Sequence, residues 1–169
     1  MVRWREPRAK SAPYISPAGY RQLETDLKSL WQRRTEVTRA LSAAAAEGDR
    51  SENAEYIYRK KELRQIDSRI AYLQKRMPEL KIVSSVKDTS YVYFGAIVTL
   101  EKDDGENVRY QILGADELDN NANAMSIDSP LARLLLGKTT DDEVTVRTGN
   151  SDQNYCILDI KYDFPIDDV

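Results

Sequence analysis

Apolar residues recur at Tyr20, Leu23, Leu27, Leu30, Val37, Leu41 and Ala44, with Arg34 in one slot of the row. The steps alternate between three and four, which is the spacing of a heptad seam on a helix. Ser16 and Pro17 stand just before the row. Serine suits an N-cap, and proline suits a first helical position that needs no N–H bond. Alanines at 43–46 favour helix and keep its end slim. Gly48 then fits the left-handed position that ends a helix. A second seam runs through Tyr56, Leu63, Ile66, Ile70, Leu73 and Met77, with Arg59 in one slot, and Pro78 ends it. Helices of about 25–30 residues are about 40–45 Å long at 1.5 Å per residue. The connection between them is too short for anything but an antiparallel return. Residues 14–80 are therefore expected to form a long antiparallel coiled-coil hairpin.

From Lys81 the period changes. Val92, Phe94, Ala96, Val98 and Leu100 alternate with more polar neighbours, the signature of a strand. Asp103-Asp104-Gly105 is a hairpin turn signal, and residues 108–113 read as the returning strand. Ser129-Pro130 repeats the cap-plus-proline start, and residues 131–136 with Gly137 after them read as a short helix. Residues 143–148 and 156–162 read as further strands, joined by a turn at 149–152. The fold class expected is α+β, the hairpin followed by a small antiparallel sheet with one helix on it over residues 81–169. Residues 1–13 contain Arg3, Arg5, Arg8 and Lys10, broken by Pro7 and Pro13, and are expected to be a flexible basic arm.

Composition removes several kinds of chemistry. The chain has 169 residues, one cysteine (Cys156) and no histidine. An intrachain disulfide, a cysteine-rich zinc site and a histidine-dependent nucleophile are all excluded. Any metal must be held by oxygen ligands, which points to magnesium, manganese or calcium. No apolar run approaches the roughly 18 residues of a membrane span, and no secretory signal is recognisable, so a cytoplasmic protein with no membrane partner is expected. The net charge of −3 is unevenly spread. Residues 1–13 carry four basic and one acidic side chain, residues 14–80 carry 13 and 10, and residues 81–169 carry 8 and 17. One reading is two solvated surfaces of different origin; the other is a basic half that approaches nucleic acid and an acidic half that docks on protein.

Three groups of residues could carry chemistry. Asp49 and Glu52 sit between the two seams. An Asp-x-x-Glu at a helix start is a capping box, and both acids suit the positive end of the helix dipole. The same two carboxylates could be ligands of a hard cation, since magnesium commonly takes one or two carboxylates and fills its other positions with waters and phosphates. Arg50, Arg59, Lys60, Lys61 and Arg64 follow. They could hold a phosphate backbone or be solvated helix flanks. Asp128, Ser129 and Pro130 open the short helix of the second domain and read first as an ordinary cap.

The segment Gly48-Asp49-Arg50-Ser51-Glu52-Asn53-Ala54-Glu55-Tyr56 resembles the tip of the bacterial Gre transcript cleavage factors, and its Arg-Ser is similar to the GreB branch. Phe94-Gly95-Ala96 and Ser126-Ile127-Asp128-Ser129-Pro130-Leu131-Ala132-Arg133 resemble C-terminal signatures of that family. The resemblance spans roughly residues 14–163, and residues 1–13 fall outside it. It implies a second domain like the FK506-binding proteins. It also implies a transcription elongation factor whose tip enters the secondary channel of a backtracked bacterial RNA polymerase. There Asp49 and Glu52 would help hold a Mg²⁺ shared with the polymerase and stimulate cleavage of the nascent RNA 3′ end. The factor would be no enzyme itself and, when free, would hold Mg²⁺ weakly. RNA-facing residues would be Arg59, Lys60 and Lys61, and the channel rim would be met by Asp128, Ser129 and Pro130. A monomer is expected. Two alternatives stay open: a channel-binding regulator that does not cleave, and an isomerase in its own right.

Overall fold

The computed structural model describes residues 10–47, 53–119 and 121–164. They fall into two compact units, one spanning residues 18–80 and the other combining the N-terminal segment through Pro17 with the chain from Lys81 onward.

The first unit is the hairpin. Helix α1 runs over Pro17–Ala46, helix α2 over Ala54–Arg76, and a single 3-10 turn follows at Met77–Glu79. Every position of the two predicted seams is buried or half-buried. Val37, Ile66 and Ile70 form the sealed centre, with Leu27, Leu30 and Leu63 packed on it. The helices are antiparallel. Arg33 of α1 meets Glu62 of α2, Arg34 meets Asp67, and Ala44 near the end of α1 meets Asn53 at the start of α2. The two arginines in seam slots are answered by carboxylates. Arg34 Nε lies 2.6 Å from Asp67 Oδ1, and Arg59 pairs with both Glu55 and Glu62. A long basic side chain can lay its stem on the seam and turn its head out to such a partner, so the heptad row is not broken there. Pro78 falls inside the 3-10 turn, just beyond the end of α2.

The second unit is a sheet domain with one helix. Its strands are β1 (Tyr14–Ile15), β2 (Lys81–Ile82), β3 (Ile97–Lys102), β4 (Asn107–Leu113), β5 (Ala124–Ser126), β6 (Glu143–Thr148) and β7 (Ser151–Lys161). Helix α3 covers Pro130–Leu135. Five strands form one sheet in the order β5-β4-β3-β7-β6, and β1 pairs with β2 in a separate two-stranded sheet. Pairings within the larger sheet are antiparallel except β4 with β5, which is parallel. The β1–β2 pair is parallel as well. The sheet is thus mixed where a purely antiparallel one was expected. Strands of two or three residues are too short to show a period of two, so β1, β2 and β5 left no trace in the pattern.

The alternating row from Val92 to Leu100 is buried throughout and lines the core with Ile112, Ala132, Leu135, Val144 and Ile157. Only its second half is strand. Residues 92–96 form an irregular approach in which Val92 exchanges backbone bonds with Lys138 and Gly137. Gly95 has φ +87°, and a Cβ there would stand 2.3 Å from the Phe164 ring. The predicted turn at 103–105 is present, with Gly105 N–H donating to Lys102 O at 2.9 Å.

The N-terminal segment belongs to this unit and not to the hairpin as far as Pro17. The sequence reading had placed Tyr14 onward in the hairpin. Tyr14–Ile15 is instead drawn into β-pairing, with Lys81 N–H donating to Pro13 O at 2.6 Å and Val83 N–H to Ile15 O at 2.9 Å. Ile15 is fully buried. Gly114 permits this approach, since a Cβ there would lie 2.0 Å from Tyr14 O. The half-buried Glu117 carboxylate fastens the same spot, accepting from the N–H groups of Ser16 and Gly114 and from the Ser16 hydroxyl. Of the segment read as a basic arm, residues 1–9 lie outside the described residues, and Ala12 is held by Asp128. Among the described residues no helix is long and apolar enough to cross a membrane.

Candidate functional site

Asp49 and Glu52 lie outside the described residues, as do Gly48 and Arg50. The structure places what stands on either side of them. Helix α1 closes at Ala46, and Glu47 N–H donates to Ala44 O at 3.3 Å. Helix α2 starts at Ala54, and its N-cap is Asn53, in extended backbone at φ −79°, ψ 100°. Asn53 Oδ1 accepts from Tyr56 N–H at 3.1 Å, and Asn53 Nδ2 donates to Ala44 O at 2.8 Å. One carboxamide therefore satisfies an orphan donor of α2 and an end carbonyl of α1. This corrects the expectation that Asp49 and Glu52 cap the second helix. A cap must sit two or three residues before the N–H it receives, and that place is Asn53. Sequence reasoning passed over Asn53. Its signal was present, because asparagine is among the strongest N-cap residues.

The three predicted RNA-facing cations do not share a face. Arg59 Nε lies 2.7 Å from Glu55 Oε1, its Nη1 3.0 Å from Glu62 Oε2, and its guanidinium rests over the Tyr58 ring. Glu62 also accepts from Arg33 of α1 at 2.7 Å. Arg59 is thus one arm of a cross-helix brace centred on Glu62. Burial pushes the Glu62 carboxyl up, but the hydrogen bonds and charges of Arg33 and Arg59 outweigh it and hold it below the usual carboxylate range. The same bonds to Glu55 and Glu62 hold the Arg59 guanidinium above its ordinary value. Lys60 is exposed beside the Tyr56 ring, with Nζ 5.8 Å from its centroid. Lys61 opens onto a shallow groove along α2 that Arg64, Gln65, Ser68, Arg69 and Tyr72 also line. Arg69 and Tyr72 were not singled out from sequence; their helical spacing from Lys61 and Arg64 was the available signal.

In the sheet domain Asp128, Ser129 and Pro130 do come together, with separate tasks. Ser129 caps α3, its Oγ accepting from Ala132 N–H at 3.2 Å, and Pro130 opens the helix. Asp128 is not the cap. Its two oxygens accept from Ala12 N–H at 3.1 and 3.2 Å. Asp128 and Pro130 also border a surface groove with Arg133, Leu134, Val146 and Arg147.

Chemically, the pair Asp49 and Glu52 offers oxygen donors only, the type a hard cation such as Mg²⁺ takes. The N-cap of α2 is Asn53, and two carboxylates are a donor set that fits the ion. Among the described residues no cluster of three or more acidic, histidine or cysteine side chains could hold a metal.

Comparison with known proteins supplies the family. The N-terminal domain of transcription elongation factors matches residues 13–82, and the C-terminal domain of the GreA/GreB transcription elongation factors matches residues 87–162. The transcription elongation factor GreB of Pseudomonas aeruginosa is 54% identical over 164 residues, covering 96% of this chain and 98% of that protein. The GreB of Xanthomonas axonopodis pv. citri is 49% identical over 165 residues, covering 96% of this chain and 98% of that protein. The crystal structure of Thermus aquaticus Gfh1 is 23% identical with a TM-score of 0.42, covering 89% of this chain and 99% of that one. The chain belongs to the GreA/GreB family of transcription elongation factors.

Proposed function

We propose that this elongation factor rescues backtracked bacterial RNA polymerase. The hairpin enters the secondary channel and stimulates the polymerase's own cleavage of the nascent RNA 3′ end. The observation that carries this reading is the hairpin itself: two packed helices whose ends, joined by Asn53, flank the acidic pair Asp49 and Glu52. Those two carboxylates would hold a Mg²⁺ shared with the polymerase. When bound, the ion activates water and stabilises charge on the phosphodiester. The chain is then a cofactor that lends ligands, and the polymerase remains the enzyme. Two carboxylates are too few for a tight magnesium cage, so the free factor would hold the ion weakly.

Lys60 and Lys61 are the proposed RNA-facing cations. Arg59 acts beside them as the brace that keeps that part of α2 on α1. Asp128, Ser129 and Pro130 form the proposed docking edge for the channel rim. The factor works as a monomer in the cytoplasm. The rival reading is a channel-bound regulator that does not cleave, and the presence of both Asp49 and Glu52 weighs against it.

The test adds the protein to a stalled, backtracked elongation complex and looks for a released 3′ RNA fragment. Asp49→Asn and Glu52→Gln should each abolish stimulated cleavage while polymerase binding stays close to normal. Equal loss of binding and cleavage, or cleavage by both variants, would defeat the assignment.

A further inference from the structure

We infer that Tyr58 is a stacking platform for an unpaired RNA base, set at the head of a cationic groove on α2 that takes the phosphates. The inference rests on the function proposed above and adds residues to its RNA-facing surface. Tyr58 and its neighbour Ile57 are 60% and 54% exposed, the two highest values among the large hydrophobic side chains described. Both lie on α2. The Tyr58 ring is supported from one side, with Arg59 Cζ 5.4 Å from its centroid. Arg59 is itself fixed by Glu55 and Glu62. A ring with a fixed cation on one face and this much exposure has its other face open.

One helical step further on, at i+3, stands Lys61. It begins the shallow groove lined also by Arg64, Gln65, Ser68, Arg69 and Tyr72. No acid lines that groove, because the three acids of α2 are turned to other work: Glu55 and Glu62 to Arg59, and Asp67 to Arg34. Tyr58 to Arg69 spans about 16 Å of helix, room for about four or five stacked nucleotides at about 3.4 Å each. A stacking ring in line with a positive groove is the chemistry that binds single strands without reading their sequence. A protein partner fits less well, since lysine is depleted where protein surfaces meet. The open ring face then takes a base, and Lys61, Arg64 and Arg69 take the phosphates behind it.

An abasic RNA separates the ring from the cations. Backtracked elongation complexes are assembled with an RNA whose extruded 3′ segment carries either 4-thiouridine or abasic residues. Wild type, Tyr58→Phe, Tyr58→Ala, the pair Lys61→Ala with Arg64→Ala, and Asp49→Asn are compared in the full chain. Three quantities are read: photo-crosslinks mapped on the factor, cleavage relative to polymerase without factor, and polymerase affinity by competition. Thiouridine should crosslink to wild type and Tyr58→Phe at residues 57–61, and about fivefold or more weakly to Tyr58→Ala. Tyr58→Ala should slow cleavage of the base-bearing RNA about fivefold or more at limiting factor, leave the abasic RNA unaffected, and keep affinity within about twofold. The Lys61 and Arg64 pair should weaken cleavage of both RNAs and flatten its salt dependence. An undiminished crosslink with Tyr58→Ala overturns the inference. So does an equal loss on both RNAs together with a fall in affinity, which would place the ring against protein. If Asp49→Asn abolishes cleavage while Tyr58→Ala crosslinks and cleaves normally, only this inference fails. If Asp49→Asn cleaves normally, the proposed function fails, and the crosslink, which needs no cleavage, still decides the role of Tyr58.

Discussion

Asp128 offers the sharpest separation of a structural from a docking role. Its carboxylate accepts Ala12 N–H on both oxygens, at 3.1 and 3.2 Å, and the group is half-buried. A hydrogen bond to a charged partner contributes about 1.5–3 kcal/mol, and partial exposure argues for the lower end. Asp128→Ala should therefore lower the stability of the sheet domain by about 1–2 kcal/mol. Asp128→Asn keeps an oxygen for Ala12 but loses the charge. Charge-assisted bonds are roughly twice as strong as neutral ones, so it should lose about half as much. Ala12→Pro removes the donor and puts a ring carbon where the N–H pointed, so the Asp128 carboxylate keeps its charge but must turn away from residue 12. Its stability loss should be at least that of Asp128→Ala. Stability is read from thermal or urea unfolding, followed by near-ultraviolet signals of the sheet-domain tyrosines, and docking from competition for RNA polymerase. If Asp128 meets the partner directly, both Asp128 variants bind weakly and Ala12→Pro binds normally at a temperature where all are folded. If Ala12→Pro loses affinity as fully as Asp128→Ala, the carboxylate acts through the N-terminal segment, and the direct docking role is refuted.

Three further outcomes follow from the packing. Ile70, 4% exposed at the hairpin centre, loses three carbons on exchange to Ala. Ile70→Ala should cost about 2–5 kcal/mol of hairpin stability; circular dichroism should show it, with the exposed Ser68→Ala within about 0.5 kcal/mol of wild type, and equal effects would disprove the seam. Glu62 has a folded pKa below its unfolded value, so its stabilisation is complete above about pH 4.3 and is lost as pH falls through the folded value. Glu62→Gln should accordingly flatten the acid limb of hairpin melting, and an unchanged limb would contradict the brace. Gly95→Ala must place a Cβ at φ +87° and against the Phe164 ring; more than about 1 kcal/mol should be lost from the sheet domain, and unaltered melting would show that Phe164 moves aside freely.

The hairpin was legible because its signal is local and long. Thirteen apolar slots and two arginines kept one spacing along the two helices, and each proved buried or half-buried. The alternating row from Val92 to Leu100 was legible for the same reason, although half of it packs without pairing as strand. The cap was misplaced because the acids at Asp49 and Glu52 fit a capping pattern as well as Asn53 does. Only the observed start of α2 at Ala54 separates them.

The sequence by itself determined two helices and their antiparallel return, the core face of the main strands, the turn residues, and a chemistry limited to oxygen ligands. Each of these depends on neighbours within a few residues, where period and propensity act. The tertiary structure decided what depends on distant partners. It drew Tyr14–Ile15 into pairing with Lys81–Ile82 and turned Asp128 toward Ala12. It committed Arg59 to Glu55 and Glu62, brought Arg33 to the same Glu62, and tied Ala44 to Asn53. A charged or amide side chain carries no period that says which of its possible partners it will meet. Only the packing of the apolar seams, which sets the distances between backbones, settles that choice.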